Sequence, residues 1–303
     1  MISDYEVNEL DAEAGPRPGL RCLAGKQAHR EGMGMSTSTA RDMNGSPDRI
    51  EETPLNGTFG ARIDGIDLSR ALGSQAIERL KEFLREHKVL TFRDQFAVGP
   101  NELLAFAQSF GTPEAAPHPT HADFPGLPGI KVLVSDAEGG FYEDSWHTDG
   151  ATRESTRMLS ILQAVDVPPY GRDTVFADME AAYEQLSKPM RELLGGLWAV
   201  HSWGPQKPDA PPVEHPVILE DAVSGRKTLY VNRAYTRSIA GLRRAESKTL
   251  LKYFFSLTHL SELQLRVSWK PGSIVMWDNE KTQHYLVRDL SYRRVMHRVM
   301  LFV

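Results

Sequence analysis

The apolar residues of the chain follow a helical period in some segments and a strand period in others. After Ser74 they recur at three- and four-residue spacings, which predicts an amphipathic helix with one face made of Ile77, Leu80, Phe83 and Leu84. The short apolar run Val89–Phe92 is typical of a buried strand. A second helical pattern covers residues 100–110 and ends at Gly111.

The rest of the chain contains many short strand patterns and few helical ones. Strands are predicted at residues 131–135, 158–165, 174–176, 215–219, 228–232, 263–267, 273–277 and 294–303. Helices are predicted at residues 179–186, 188–197 and 245–257. This balance favours a sandwich or a barrel with helices packed outside it over a doubly wound sheet.

The first 52 residues differ from the remainder. They are rich in small and charged residues and show neither period, which predicts a disordered tail over residues 1–52. Met33, Met35 and Met43 also allow a start further along the chain. Because the mixed pattern begins at Thr53, residues 53–303 are predicted to form one catalytic domain.

Charge and composition exclude several classes of protein. The net charge is -5 and there is no long basic run, so a nucleic acid is not an expected partner. One cysteine, Cys22, allows no intrachain disulfide, which is consistent with a reducing cytoplasm. No apolar run reaches the length of a membrane span, and the acidic start does not have the pattern of a signal peptide.

His147, Asp149 and His284 are candidate metal ligands. His147 and Asp149 are two residues apart, so on a strand both side chains point to one side. With His284 they supply two imidazoles and one carboxylate, a ligand set that leaves coordination positions open and is associated with non-haem iron(II) oxygenases. A zinc hydrolase with an open site remains an alternative.

Arginines interrupt the apolar pattern of the last predicted strand. Arg294 and Arg298 fall on one face of it, and the apolar residues around them indicate that both faces are buried. A buried guanidinium needs a partner, and a carboxylate or a sulfonate suits its planar shape. Ion pairs with acidic residues of the protein are the alternative explanation.

These residues, in this order, resemble those of the taurine dioxygenase and aryloxyacetate dioxygenase family. The similarity covers nearly the whole chain from Thr53. The matching stretches are 89–95, Phe110-Gly111, 146–149, 171–174, 181–183, 277–279, 283–285 and 293–298.

The resemblance implies a fold, a reaction and a set of site residues. The fold is a mixed α and β, mainly β, structure with a double-stranded β-helix (jelly-roll, cupin-like) core and flanking helices. The reaction is hydroxylation of a C–H bond with Fe(II), 2-oxoglutarate as cosubstrate and O2, releasing succinate and CO2. The implied residues are His147, Asp149 and His284 for the metal, Thr174 and Arg294 for 2-oxoglutarate, and Arg298 for the substrate anion.

Two departures from the family pattern concern the arginines and the substrate. The spacing from His284 to the arginine pair is one residue short, which leaves Arg293 as a rival of Arg294. Residues that bind taurine in the taurine enzyme are replaced here by Ala116, Pro119 and Glu143, so taurine itself is not expected as the substrate.

The expected substrate is a small carboxylate or sulfonate, with Glu143 and His118 as further candidate substrate-binding residues. The resemblance also allows a homodimer or a homotetramer. Two other functions are alternatives to the oxygenase: a zinc hydrolase that uses the same three ligands, and a barrel that binds a small anion without catalysis.

Overall fold

The structure is a computed structural model, and it describes residues 50–115, 121–135, 145–288 and 292–303. The helices in these residues are α1 Ser74–His87, α2 Pro100–Gln108, α3 Met179–Glu184, α4 Lys188–Leu194 and α5 Arg244–Leu257, with short 3-10 turns at Gly204–Gln206 and Ser261–Leu263. The strands are β1 Glu51–Pro54, β2 Ala61–Asp64, β3 Val89–Phe92, β4 Thr112–Pro113, β5 Ala122–Phe124, β6 Leu127–Ser135, β7 Met158–Asp166, β8 Thr174–Asp178, β9 Trp198–His201, β10 Val213–Pro216, β11 Ile218–Glu220, β12 Lys227–Leu229, β13 Thr236–Ile239, β14 Gln264–Val267, β15 Ile274–Asp278, β16 Thr282–Leu286 and β17 Arg294–Phe302.

Within the described residues the strands form one large sheet and three small ones. The large sheet has the order β1-β2-β3-β15-β7-β17-β6-β5, and β4 pairs with β17 outside this order. The small sheets are β14-β8-β16, β10-β9-β13 and β11-β12. The pairs are antiparallel, apart from the parallel pair of β2 with β3.

The large sheet buries both faces. Ile274 and Met276 of β15 contact the apolar faces of α1 and α2, where Leu80 and Leu103 are fully buried. The intervening residues of β15 point the other way, as the two-residue period of a strand requires. Both faces of β15 are therefore apolar, which explains why this strand appears in the sequence as a continuous apolar run.

The other face of the large sheet packs against the sheet β14-β8-β16. Trp277 of β15 and Met296 of β17 share one buried cluster with Phe176 of β8. The neighbouring residues of β8, Val175 and Ala177, contact a separate cluster that includes residues of α5. The candidate site residues lie between these two sheets, and helices cover the outer sides.

The mixed, mainly β character predicted from the sequence is confirmed, and the differences are local. Val217 separates β10 from β11, so the predicted strand 215–219 is two strands, and the predicted strand 228–232 ends at Leu229. The pattern did not predict β4, β5, β9, β13 and β16. Ile50 is buried and Glu51 begins β1, while residues 1–49 of the predicted tail lie outside the described residues. None of the helices in the described residues combines the length and the apolar character that a membrane-spanning helix needs.

Candidate active site

His147, Asp149 and His284 lie together between the two sheets. Each is buried, and their candidate ligand atoms all fall within 4.8 Å of one another. His147 Nε2 is 3.9 Å from Asp149 Oδ1, and His284 Nε2 is 4.0 Å from Asp149 Oδ2. The structure thus brings two histidines that are far apart in sequence to one carboxylate.

The backbone explains why the two histidines meet. His147 and His284 are paired across an isolated antiparallel bridge, in which each N–H donates to the other carbonyl, at 3.0 and 2.8 Å. Residues directly opposite each other in such a pair place their side chains on the same face. The two imidazole rings therefore lie side by side, with their centroids 4.2 Å apart.

Each imidazole is oriented by its surroundings. His147 Nδ1 lies 2.8 Å from the carbonyl oxygen of Ser145, which fixes Nδ1 as the protonated nitrogen and makes Nε2, 3.9 Å from Asp149 Oδ1, the candidate ligand atom. The ring of His284 is stacked on Phe176 at 5.6 Å and meets the edge of Trp277 at 4.9 Å. Both rings are thus held in one rotamer by packing or hydrogen bonding.

Asp149 sits at the start of a tight turn. Gly150 has a φ of 76°, and a Cβ at this position would lie 2.2 Å from the sulfur of Met158, so the turn requires glycine. Ser160 Oγ donates to Asp149 Oδ2 at 2.7 Å, and Arg298 Nη1 donates to Asp149 Oδ1 at 3.2 Å.

A chain of hydrogen bonds continues from Asp149 into the large sheet. The indole N–H of Trp277 donates to Asn279 Oδ1 at 2.9 Å, and Asn279 Nδ2 donates to Ser160 Oγ at 2.9 Å. The side chains of Asp149, Ser160, Trp277 and Asn279 are all buried. Because Ser160 is supplied with one donor, its own proton is directed to the carboxylate. The Trp277-Asp278-Asn279 motif therefore orients Asp149.

The three side chains fit a divalent iron ion. The donors are two imidazole nitrogens and one carboxylate oxygen, the set of the facial triad of non-haem iron(II) oxygenases. His147 carries the hydrogen bond on its remote nitrogen that such ligands usually make. Both carboxylate oxygens of Asp149 also receive hydrogen bonds, which fixes the plane of this group.

A cavity, here called the Arg294 cavity, lies beside His284. Its described lining residues are His121, Leu133, Val134, Ser135, Leu162, Thr174, Trp277, His284, Leu286, Arg294 and Arg298. Thr174 starts β8 and Arg294 starts β17, so two separate strands bring these side chains to one cavity. Arg293, the rival residue, is exposed and pairs with Asp166 at 2.7 Å.

Trp269 connects the two predicted cosubstrate residues and was not identified from the sequence. Its indole N–H donates to Thr174 Oγ1 at 3.0 Å, and its ring lies 5.4 Å from the guanidinium carbon of Arg294. Because an indole N–H can only donate, Thr174 accepts here and its own proton can be donated to another group. The aromatic face also keeps the guanidinium in place.

A second cavity, here called the Arg153 cavity, lies on the Asp149 side. Its described lining residues are Asp149, Gly150, Thr152, Arg153, Trp203, Tyr235, Arg298 and Met300. Arg298 lines both cavities and is buried. Of the predicted substrate-binding residues, Arg298 is thus beside the triad, whereas His118 and Glu143 lie outside the described residues.

Two buried histidines lie behind the Arg153 cavity. His201 and His215 have ring centroids 5.3 Å apart, and both rings contact Tyr230. Burial lowers the pKa of His201 from 6.5 to about 3 and also lowers the pKa of His215. Both side chains are therefore neutral at physiological pH, and they were not singled out in the sequence.

The chain is similar to known proteins over most of its length. Residues 51–300 match the model of a family described as taurine catabolism dioxygenase TauD, TfdA family. An alpha-ketoglutarate-dependent sulfate ester dioxygenase from Pseudomonas putida is 34% identical over 274 residues, covering 83% of this chain and 89% of that protein. An alpha-ketoglutarate-dependent 2,4-dichlorophenoxyacetate dioxygenase from Cupriavidus pinatubonensis is 33% identical, covering 82% and 96%.

Structural similarity agrees with these relatives. The crystal structure of a taurine dioxygenase from Burkholderia xenovorans has a TM-score of 0.76 and 31% identity, covering 84% of this chain and 89% of that one. These matches confirm the predicted resemblance and favour the oxygenase over the zinc hydrolase and the anion-binding barrel. The chain belongs to the taurine catabolism dioxygenase TauD, TfdA family, and it is a 2-oxoglutarate-dependent dioxygenase that requires iron(II) and O2.

Proposed function

We propose that this enzyme hydroxylates a C–H bond of a small anionic substrate at an iron(II) held by His147, Asp149 and His284. The observation that carries the proposal is the convergence of their three ligand atoms within 4.8 Å, beside a cavity that contains Thr174 and Arg294. Three protein ligands of this kind would leave coordination positions of a bound iron(II) open for other groups. Succinate and CO2 are the expected coproducts.

Thr174 and Arg294 are the proposed residues for the far carboxylate of 2-oxoglutarate. Arg294 offers a planar pair of N–H donors, and the Thr174 hydroxyl can add a third because it accepts from Trp269. Leu162 and Leu286 line the same cavity, so water is displaced from around this carboxylate. Exclusion of water strengthens each of these hydrogen bonds.

Iron(II) at the triad supplies, together with the cosubstrate and dioxygen, the oxidising chemistry of the reaction. The protein contributes placement. Asp149 is fixed through Ser160 and Arg298, and His147 through Ser145, so the ligands are preorganised. Arg298, which lines both cavities, is the residue proposed to meet the anionic group of the substrate.

The substrate class follows from relatives and residues together. The compared relatives are named for a sulfate ester and for 2,4-dichlorophenoxyacetate, both of which carry an anionic group on an apolar body. We propose a carboxylate, sulfonate or sulfate ester of this kind for the present enzyme, and we do not expect taurine. The cytoplasmic location and a homodimer or homotetramer stay predictions.

The proposed core is a double-stranded β-helix of the jelly-roll, cupin-like type, within a catalytic domain over residues 53–303. Two facing sheets with helices outside them support it. The similarity to a taurine dioxygenase structure, at a TM-score of 0.76, gives further support.

Anaerobic titration of the purified protein with iron(II) and 2-oxoglutarate tests the proposed function. We expect a weak visible charge-transfer band in the wild type and succinate release when a substrate and O2 are added. Asp149→Ala removes one of the three ligands, so the band and succinate release should fall to background. Asp166→Ala, which removes a half-exposed carboxylate paired with Arg293, is the matched control and should behave as wild type. Tight zinc binding without a band or succinate would contradict the proposal.

A further inference from the structure

Arg153 is a cation of the active site that the proposed function does not use. It follows Asp149 by four residues and lines the Arg153 cavity together with Arg298. Its side chain is 30% exposed, whereas that of Arg298 is 2% exposed. Arg153 is therefore reachable from solvent, as a group that meets an incoming ligand needs to be.

Glu114 holds the guanidinium of Arg153. Arg153 Nη2 forms an ion pair with Glu114 Oε1, and the Glu114 side chain is 7% exposed. The Glu114 backbone is itself tied to β17, because its N–H donates to the carbonyl of Met300 at 2.8 Å. Burial raises the pKa of Glu114, and the charge of Arg153 opposes that rise. An arginine has five N–H donors, so those not facing Glu114 can bind another group.

The backbone of Arg153 is also fixed. Its N–H donates to the carbonyl of Gly150 at 2.8 Å, within the turn that carries Asp149. The backbone of Arg153 and of Ala151 interacts with the buried ring of His215. Both ends of this side chain are thus anchored to elements that also position the triad, which lowers the entropy lost when it binds an anion.

The rest of the Arg153 cavity is aromatic. Trp203 and Tyr235 pack edge to face with centroids 5.3 Å apart, and Tyr235 packs in the same way against His147 at 6.4 Å. The rings form a continuous row from a candidate metal ligand to the outer part of the cavity. Such a row suits an apolar or aromatic body that carries the C–H bond to be oxidised.

Arg298 is already engaged near the triad. Its Nη1 donates to Asp149 Oδ1 at 3.2 Å, so part of its hydrogen-bonding capacity orients a candidate metal ligand. A second cation in the same cavity can share the recognition of a substrate anion. The partly exposed position of Arg153 also places that anion toward the outside of the cavity.

We propose that Arg153, positioned by Glu114, is a specificity-determining residue that binds the anionic group of a substrate whose apolar body packs on Trp203 and Tyr235. The substrate class is a sulfate ester, sulfonate or carboxylate with an apolar or aromatic body. This inference rests on the proposed function, because it assumes that the Arg153 cavity is the substrate side of the site.

The test compares Arg153→Gln with the matched control Arg157→Gln, since Arg157 is exposed and only four residues away. The probes are hexyl sulfate, hexanesulfonate and 2,4-dichlorophenoxyacetate, with hexanol as the uncharged probe. Binding is measured anaerobically by the change of the charge-transfer band and by calorimetry, and turnover by succinate release. Arg153→Gln should weaken the binding of at least one anion about 10- to 100-fold and leave 2-oxoglutarate affinity unchanged, as expected for loss of a charge-assisted hydrogen bond. Arg157→Gln should have no effect.

A second variant tests the role of Glu114. Glu114→Gln should raise the KM for the same anion by a smaller factor, about 3- to 10-fold, with little change in kcat. In the Arg153→Gln background the same change should have no further effect, because Glu114 acts through Arg153. A purely structural role of Glu114 would instead lower the thermal stability and reduce activity in both backgrounds.

Two results would overturn the inference. One is unchanged anion binding in a folded Arg153→Gln protein, and the other is failure of the wild type to bind any of the three anions at millimolar concentrations. Either result could occur while the wild type still shows the charge-transfer band with iron(II) and 2-oxoglutarate. Absence of that band would count against the proposed function itself.

Discussion

The two cavities beside the triad are built from different kinds of backbone. The Arg294 cavity takes Thr174, His284 and Arg294 from strands β8, β16 and β17. The Arg153 cavity takes Arg153, Trp203 and Tyr235 from connections between strands, and of its described lining residues only Arg298 and Met300 lie on β17.

The difference in backbone suggests which cavity is common to related enzymes and which can differ between them. Strand residues are fixed by the ladder of hydrogen bonds and by packing on two faces, so they suit the proposed binding of 2-oxoglutarate, which does not vary between relatives. Connecting segments tolerate replacement without loss of the core, so they suit a substrate that differs between relatives. The variants below test whether the cavities act independently as this comparison requires.

Among the variants that test one cavity against the other, Arg294→Ala should have the largest effect. Loss of a planar pair of charge-assisted hydrogen bonds should raise the KM for 2-oxoglutarate about 100-fold, with little change in the affinity for a substrate anion. Steady-state succinate release measures both. Arg293→Ala is the matched control, because Arg293 is the adjacent arginine and pairs with Asp166 at the surface. A larger effect of Arg293→Ala would reverse the assignment of the two residues.

Ser160→Ala acts on Asp149, which lies between the cavities. Removal of the 2.7 Å hydrogen bond to Oδ2 should weaken iron(II) binding about 10- to 100-fold, the usual cost of losing a partner of a metal ligand. Metal titration of the apoprotein measures it, and exposed Ser256→Ala is the control. At saturating iron the KM values for 2-oxoglutarate and for the substrate anion should equal those of the wild type. An iron affinity equal to that of the wild type would remove Ser160 from this role.

Trp269→Phe should change the Arg294 cavity alone. The variant keeps a ring over Arg294 but removes the indole N–H that donates to Thr174. We expect a rise of about 5- to 10-fold in the KM for 2-oxoglutarate, the scale of one neutral hydrogen bond. Trp198→Phe, at a half-exposed position, is the control. Weaker substrate binding with an unchanged KM for 2-oxoglutarate would break the proposed independence of the cavities.

The smallest effect on turnover at neutral pH is expected for His201→Gln, behind the Arg153 cavity. The pKa of His201 is about 3 in the folded protein against an ordinary 6.5, so between these values the unfolded chain binds the proton and the folded chain does not. The free energy of unfolding should therefore fall by about 1.4 kcal/mol per pH unit as the pH drops below about 6. Urea unfolding of the metal-free protein at pH 7, 6 and 5 measures this slope.

His201→Gln should remove this contribution to the dependence of the free energy of unfolding on pH. His259→Gln, at an exposed position, should leave that dependence as in the wild type. A variant with the same slope as the wild type would show that His201 is not the responsible group. Kinetics at pH 7 should change little in either variant.

The regular elements were largely readable from the sequence because their physical causes are local. The helical spacing after Ser74 and the apolar run at Val89 correspond to α1 and β3. The alternation in β17 predicted that Arg294 and Arg298 share a face, and both line the Arg294 cavity. β16 was missed because Thr282 and Gln283 make it too polar for an isolated strand pattern, although pairing with β8 buries it.

Several residues of the candidate site could not be found from the sequence. Ser160 and Gln163 interrupt the apolar run of β7, a weak signal that polar groups face this strand. Trp269 gave no signal, because an aromatic residue before a turn is usually part of the core. Glu114 and Arg153 are 39 positions apart in the sequence, so no short-range pattern predicts that they form an ion pair.

The sequence by itself determined the family, the main strands and helices, and three candidate ligands, because periodicity and residue type act over short distances. Only the tertiary structure decided that His147 and His284 pair across two backbone hydrogen bonds, that Trp269 joins Thr174 to Arg294, and which cations face each cavity. These contacts depend on the register of strands that are distant in the chain, and register is set by the burial of whole faces and not by any single segment.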